Sequence, residues 1–181
     1  MKKCFVILLL IPLFLSCKQN DKKAGSEKSI KKEVLDVAIK YARGKFTTSK
    51  ETVDASGVVT VQDSIVNLIL SKAYQVKYVI DPSKIKYGLI DDDSTTDAIV
   101  YISDINAQDL ESPELLILLN TDGKFILNRS IESSMRIIGI KDRIITAEVY
   151  TRSINSPLRD CHLCKEVVKY KFKSGDLVRV D

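Results

Sequence analysis

The 181-residue sequence predicts an α+β domain, an antiparallel sheet of about six to eight strands covered by one or two N-terminal helices. Two observations predict it. Residues 29–43 carry apolar side chains at helical spacing, whereas from Tyr74 onward apolar residues recur at every second position. The period-two segments are also separated by short turn signals, which favour antiparallel pairing, and a sheet with one apolar face needs a layer to cover it.

Taken in order, the first helix places Ile30, Val34, Val37, Ala38 and Tyr41 on one stripe, with Gly44 positioned to end it. The next stretch has two readings. Val53 to Gln62 suits a strand, while Asp63 is a possible cap for a helix to Lys72 that carries Ile65, Leu68 and Ile69. Tyr74, Val76, Tyr78 and Ile80 then alternate with polar residues, as do Ile85, Tyr87 and Leu89. Ala98–Ile102 and Leu115–Leu119 are apolar nearly throughout and predict strands buried on both faces. Asp122-Gly123 signals a turn before Phe125 and Leu127. Ile144–Tyr150, Glu166–Lys173 and Leu177–Val180 complete the strands, with Ser174-Gly175-Asp176 as the last hairpin turn.

Residues 1–16 stand apart from this domain. Lys2 and Lys3 precede an apolar run from Phe5 to Leu15 that ends at Ser16, the three parts of a secretory signal. The run is too short to span a bilayer core, which needs roughly 20 apolar residues, and Pro12 interrupts it. With Cys17 next, the segment resembles a bacterial lipoprotein signal, although Phe14 and Leu15 stand where the usual pattern prefers Leu and a small residue. The resemblance implies that residues 1–16 are removed and that the Cys17 thiol carries the lipid. It places residues 33–181 as a single globular domain at the cell envelope, facing the periplasm or the exterior. Several acyl chains hold a protein to its membrane, since each buried methylene contributes about 0.8 kcal/mol.

Residues 17–32 are then expected to form a flexible basic tether, with six lysines, two acids and Ile30 as the one large apolar side chain. This changes the charge argument. The formal net charge is +4, but Lys2 and Lys3 carry two of those charges and the tether a net four, so residues 33–181 are left at about −2. Nucleic acid is therefore not an expected partner, because no basic face with interleaved aromatics remains to neutralise phosphates. The tether lysines suit anionic lipid headgroups or plain solvent.

Chemistry concentrates in two places. In Gly88 to Val100, Asp91, Asp93, Thr95 and Asp97 present oxygens at alternate positions, an arrangement that can surround calcium, which takes six to eight oxygen ligands. The stretch resembles a Tyr-Gly-Asp-x-Asp-Gly-Asp-Gly-x-x-Asp-Ala strand-loop-strand motif of bacterial envelope proteins. Tyr87, Gly88, Asp91, Asp93, Asp97 and Ala98 match it. Leu89 replaces the first aspartate, and Asp92 and Ser94 replace both loop glycines, so charge, coordination number and turn geometry are all reduced. The bland alternative is an acidic loop between two strands.

The second place is Cys161-His162-Leu163-Cys164, whose spacing admits haem attachment, dithiol redox chemistry, zinc or a structural bridge. Lys165 stands where haem attachment needs histidine, and the residues that follow alternate like a strand, so the helix N-terminus that activates a redox cysteine is not expected. Zinc lacks a second ligand pair within the chain. Under the lipoprotein reading, Cys4 leaves with the signal and Cys17 is lipidated. Cys161 and Cys164 are then the thiols left in an oxidising compartment and are expected to pair.

Together with Asn120–Phe125 and the closing strands, these features resemble a loose group of bacterial envelope lipoproteins with an acidic loop and a cysteine-rich turn. That resemblance implies an accessory domain without naming an activity. Expected partners are the membrane, through the lipid, and an envelope protein, peptide or glycan. The alternative is an envelope hydrolase or thiol-redox protein using the acidic loop or the CxxC pair. Asp160, His162, Ser153 and Ser156 can be drawn as a nucleophilic set and Asp91 with Asp93 as an acid–base pair, but neither has a supporting motif.

Overall fold

The computed structural model describes residues 19–48, 58–62, 65–71, 76–105, 111–133, 135–151 and 164–181. One helix, α1 (Gln19–Thr48), is followed by eleven strands: β1 (Val58–Gln62), β2 (Ile65–Ser71), β3 (Val76–Ile80), β4 (Lys86–Gly88), β5 (Asp97–Ile105), β6 (Glu111–Thr121), β7 (Lys124–Glu132), β8 (Arg136–Lys141), β9 (Ile144–Tyr150), β10 (Lys165–Lys173) and β11 (Asp176–Arg179). The strands form two antiparallel sheets. A seven-stranded sheet runs β1-β2-β3-β5-β6-β7, and β4 pairs with β5 on the edge that β3 also uses, at the opposite end of the strand. A four-stranded sheet runs β11-β10-β9-β8.

The expected antiparallel sheet with a helical cover is thus present as the larger sheet. It differs in having a second sheet on its other face and a single helix among the described residues. The segment from Ile65 to Ser71, expected as a helix, is strand β2 and pairs with both β1 and β3. Its apolar residues satisfy either period over so short a run, and sheet pairing on both sides decides between them.

Three layers result, with β5 and β6 at the centre. Ala98, Val100 and Ile102 of β5 and Leu116 and Leu118 of β6 face α1, where they meet Val34, Ala38 and Ala42. Ile99, Leu115 and Ile117 point the other way, into a second core with Ile137, Ile145 and Ala147 of the smaller sheet. All of these residues are at most 2% exposed. Because side chains alternate across a strand, an apolar run is what two covered faces require.

Helix α1 begins ten residues before the expected start at Ser29, so residues 19–28, expected as tether, are helical. The stretch holds three lysines with Gln19, Ala24 and Glu27, all good helix formers; Glu27, Lys28 and Ser29 are exposed, and Ile30 packs on the core. Gly44 does not end the helix, which continues to Thr48. Polar contacts dock α1 laterally. The buried Glu114 carboxylate accepts from Tyr41 Oη at 2.5 Å and Lys45 Nζ at 2.9 Å, and Glu33 Oε1 accepts from the Phe125 N–H at 3.0 Å.

The sheets come closest where β4 meets β8. A Cβ on Gly88 would lie 2.7 Å from the Cβ and Cγ2 of Ile140 and 3.2 Å from its carbonyl oxygen. Gly88→Ala is expected to lower unfolding free energy by about 1–3 kcal/mol through overpacking. Gly44→Ala is expected to raise it by about 0.5–1 kcal/mol, since Gly44 is helical and its added Cβ meets nothing within 4 Å. Urea denaturation of both variants, with comparable m-values, measures the two opposite signs.

Candidate functional site

The acidic loop joins β4 to β5, and its conformation follows from short-range hydrogen bonds. Asp91 Oδ1 accepts from the Asp93 N–H at 3.0 Å, and Asp93 Oδ1 accepts from the Thr95 N–H and hydroxyl, both at 2.7 Å. These are Asx turns, in which the carboxylate replaces a backbone acceptor. They do locally what glycines do in the resembling motif. Asp92 and Ser94 therefore do not prevent the turn.

Asp97 closes the loop at its base. It is fully buried, with Oδ2 accepting from the Ile90 N–H at 2.8 Å and Oδ1 from the Asn120 N–H at 2.9 Å. Asn120 also accepts the Thr95 hydroxyl on its carbonyl at 2.8 Å and donates Nδ2 to the Thr96 carbonyl at 3.3 Å. The loop is thereby fastened to the end of β6. Asn120 Oδ1 is buried and finds no hydrogen-bond partner among the described residues.

A second fastening comes from the two-residue turn between β8 and β9. Arg143 donates Nε to the Asp91 carbonyl at 2.7 Å and one terminal nitrogen to the Asp93 carbonyl at 2.7 Å and the Asp92 carbonyl at 3.3 Å. The guanidinium thus holds three consecutive carbonyls, and the smaller sheet clasps a loop of the larger one. Asp142 and Arg143 both have positive φ, 52° and 60°, the hand that matches a two-residue hairpin to the strand twist. Asp122-Gly123 and Ser174-Gly175 solve the same problem with glycine at the second position. Arg143 does so without one.

Of the predicted site residues, Asp91, Asp93 and Asp97 are brought together, each offering a carboxylate oxygen within 4.8 Å of the others. The single Thr95 hydroxyl proton is shared between Asp93 Oδ1 and the Asn120 carbonyl, at 2.7 and 2.8 Å, which leaves the hydroxyl oxygen as an acceptor. Burial raises the Asp91 carboxyl above its ordinary value, with the charges of Asp97 and Asp93 adding to the shift against the Asp93 N–H. The two hydrogen bonds from Thr95 hold Asp93 below its ordinary value. As a calcium cradle, the loop supplies three carboxylates, while the carbonyls of residues 91–93 are already held by Arg143.

Cys164 lies immediately before β10, not at a helix N-terminus. Its carbonyl accepts from the Thr151 N–H at 2.9 Å, which joins the two ends of the β9–β10 connection. Cys17, Cys161, His162, Asp160, Ser153 and Ser156 lie outside the described residues, as do residues 1–16, expected as a signal. No helix of the described residues is long and apolar enough to cross a membrane.

Sequence reading missed Arg143 and the part played by Asn120. Asp142-Arg143, between two apolar runs, is a weak turn signal, and nothing local indicates that a side chain about fifty positions away reaches the acidic loop.

Two measurements test this account. Arg143→Ala is expected to cost about 1.5–3 kcal/mol, the range for hydrogen bonds from a charged donor. Arg143→Gly should cost about 1 kcal/mol less, because glycine relieves the left-handed backbone. Equal losses in the two variants, by denaturant titration, would remove the strain from the account. Asp91→Asn should be more stable than the native chain at neutral pH in calcium-free buffer. The raised carboxyl binds its proton more tightly in the folded state, so it adds stability as pH falls and costs stability once ionised. The advantage of the variant should accordingly vanish below the ordinary carboxyl value of 3.8. Thermal unfolding across that pH range measures it.

No family model matches the chain, and no curated protein or solved structure matches it.

Proposed function

We propose that the chain is a lipid-anchored protein of a bacterial cell envelope, facing the periplasm or the exterior, and that its domain is a non-catalytic binding or accessory module. The observation that supports this best is the order of its first segments. Cys17, the expected lipid acceptor, stands two residues before α1, whose first eleven residues carry no large apolar side chain and which packs on the core with Ile30. At 1.5 Å per residue, those eleven residues span roughly 16 Å of helix between the anchor and Ile30. Its lysines would lie near lipid headgroups.

The state of the acidic loop favours binding over hydrolysis. Carboxylates that act as general acid or base must reach substrate, whereas Asp93 and Asp97 spend oxygens on N–H groups of the loop and of Asn120 on β6. The position of Cys164 ahead of a strand favours a Cys161–Cys164 structural bridge over thiol-redox chemistry. The hydrolase or redox reading remains the competing one. Calcium is a secondary reading of the same loop, favoured by the convergence of three carboxylates. It would tie the loop's ends together. Millimolar calcium should then raise the melting temperature of the native chain but not of Asp91→Asn, and an unchanged native melting point would exclude it.

The main proposal is tested by metabolic labelling with a clickable palmitate analogue together with photo-crosslinking from exposed positions of the domain. Labelling should vanish in Cys17→Ala, and crosslinks should converge on a specific envelope partner. Labelling that survives the substitution would overturn the anchor. Absence of a partner, with turnover of an envelope substrate that Asp91→Asn abolishes, would overturn the binding reading in favour of an enzyme.

A further inference from the structure

Apart from the acidic loop, the described residues form a cleft between the two sheets, about 590 Å³ in volume. Its apolar lining comes from Val79, Pro113, Met135 and Ile137, and Tyr101 and Tyr150 add aromatic surface. The Tyr101 hydroxyl is committed, donating to the Met135 carbonyl and accepting from the Ile137 N–H. That hydroxyl fixes β8 against β5 and sets the shape of the cleft. Tyr150 is half exposed, with Lys165 Nζ over its ring at 5.0 Å from the centre.

The charge of the cleft is opposite to that of the domain. Lys84, Lys86 and Arg136 line it against a single carboxylate, Asp81. Asp81 is turned toward Ser83, accepting its N–H at 2.9 Å and its hydroxyl at 2.6 Å, with Lys84 at 3.6 Å. Arg136 pairs with Glu148, which also holds Lys165. Lys86 has no anionic partner among the described residues, although it is partly buried on β4. An arriving anion would give the Lys86 ammonium the partner that it lacks.

We propose that this cleft binds a small organic anion, with an apolar or aromatic body seated on Met135 and Tyr150 and a carboxylate or phosphate head at Lys86. The volume fits such a ligand, and a mostly apolar pocket with a few convergent polar groups is the usual form of a small-molecule site. A Lys ammonium recognises the head as a point charge and does not demand a planar fork, so either oxyanion satisfies it. Lys84 and Arg136 at the rim steer the anion inward. The inference does not rest on the lipid anchor.

The test is titration of the isotopically labelled full-length chain with 2-naphthoate, 1-naphthyl phosphate and neutral 2-naphthol, followed by amide chemical shifts. Both anions should bind saturably, with shifts centred on residues 84–86, 101–103, 135–137 and 150. Lys86→Met should weaken anion binding by about fivefold or more, while Lys86→Arg retains it. The preference between the two anions identifies the head group. The melting temperature of each variant shows that it is folded, and Lys86→Gln replaces the methionine variant if that one is not. Three results would overturn the proposal: no saturable shifts up to about 10 mM anion, naphthol binding as tightly as the anions, or unaltered binding in folded Lys86→Met or Lys86→Gln.

Discussion

The β5–β6 pair is the constraint on which the rest of the fold depends, since both its faces are dry. Helix α1 covers one face with Val34, Ala38 and Ala42, and the smaller sheet covers the other with Ile137, Ile145 and Ala147. Neither cover is interchangeable with the other. The helix approaches closely because two of its three fully buried residues are alanines, whereas the smaller sheet offers branched side chains that reach across the roughly 10 Å that separates packed sheets. A register slip of one residue in β5 would exchange Val100 and Ile102 with Ile99 and place each set against the wrong partner layer. Pairing of β5 with β6 along eight residue positions holds that register.

The acidic loop follows from the same geometry. Where β4 leaves the sheet and β5 enters it, the chain must reverse over the end of β6 beside the smaller sheet. Asp97, the first residue of β5, is buried at that junction and ties down Ile90 and Asn120, while Arg143 reaches in from the other sheet. Arg143 changes what the loop can do. Glycines permit a turn that leaves carbonyls available to a cation, whereas Arg143 brings a cation of its own and fills three carbonyls with it. The carboxylates meanwhile remain crowded, and the raised Asp91 carboxyl records its burial first and the charges of Asp97 and Asp93 second.

The legible parts of the chain were those where one period dominates. Ala98–Ile102 and Leu115–Leu119 could be read as doubly buried strands because no other environment demands such runs. Ile144–Tyr150 coincides with β9, and the Asp91, Asp93 and Asp97 convergence follows from their spacing. Strand β2 was ambiguous because Ile65, Leu68 and Ile69 fit helical spacing as well as a strand, and only partners on both sides choose between them. Strand β8 is hidden by the sequence Arg-Ile-Ile-Gly-Ile-Lys. Its irregularity between Ile137 and Gly139 breaks the period-two pattern that would have revealed it. Interactions between sheets, such as Arg143 with the loop and Gly88 against Ile140, have no local signature.

In the proposed anchored state, the position of the polar contacts on α1 acquires a mechanical meaning. Force from a lipid at Cys17 enters the domain along the helix axis, and nonpolar packing resists sliding poorly because it is not directional. Glu33 to the Phe125 N–H and Tyr41 with Lys45 to Glu114 lie about two turns apart and grip β7 and β6 respectively. Glu114 is the stronger grip, because a carboxylate that is 7% exposed has little water to turn to if either donor leaves. The helix is thus fastened to the strand pair that also orders both cores, so a load from the membrane is carried by the most completely buried part of the fold.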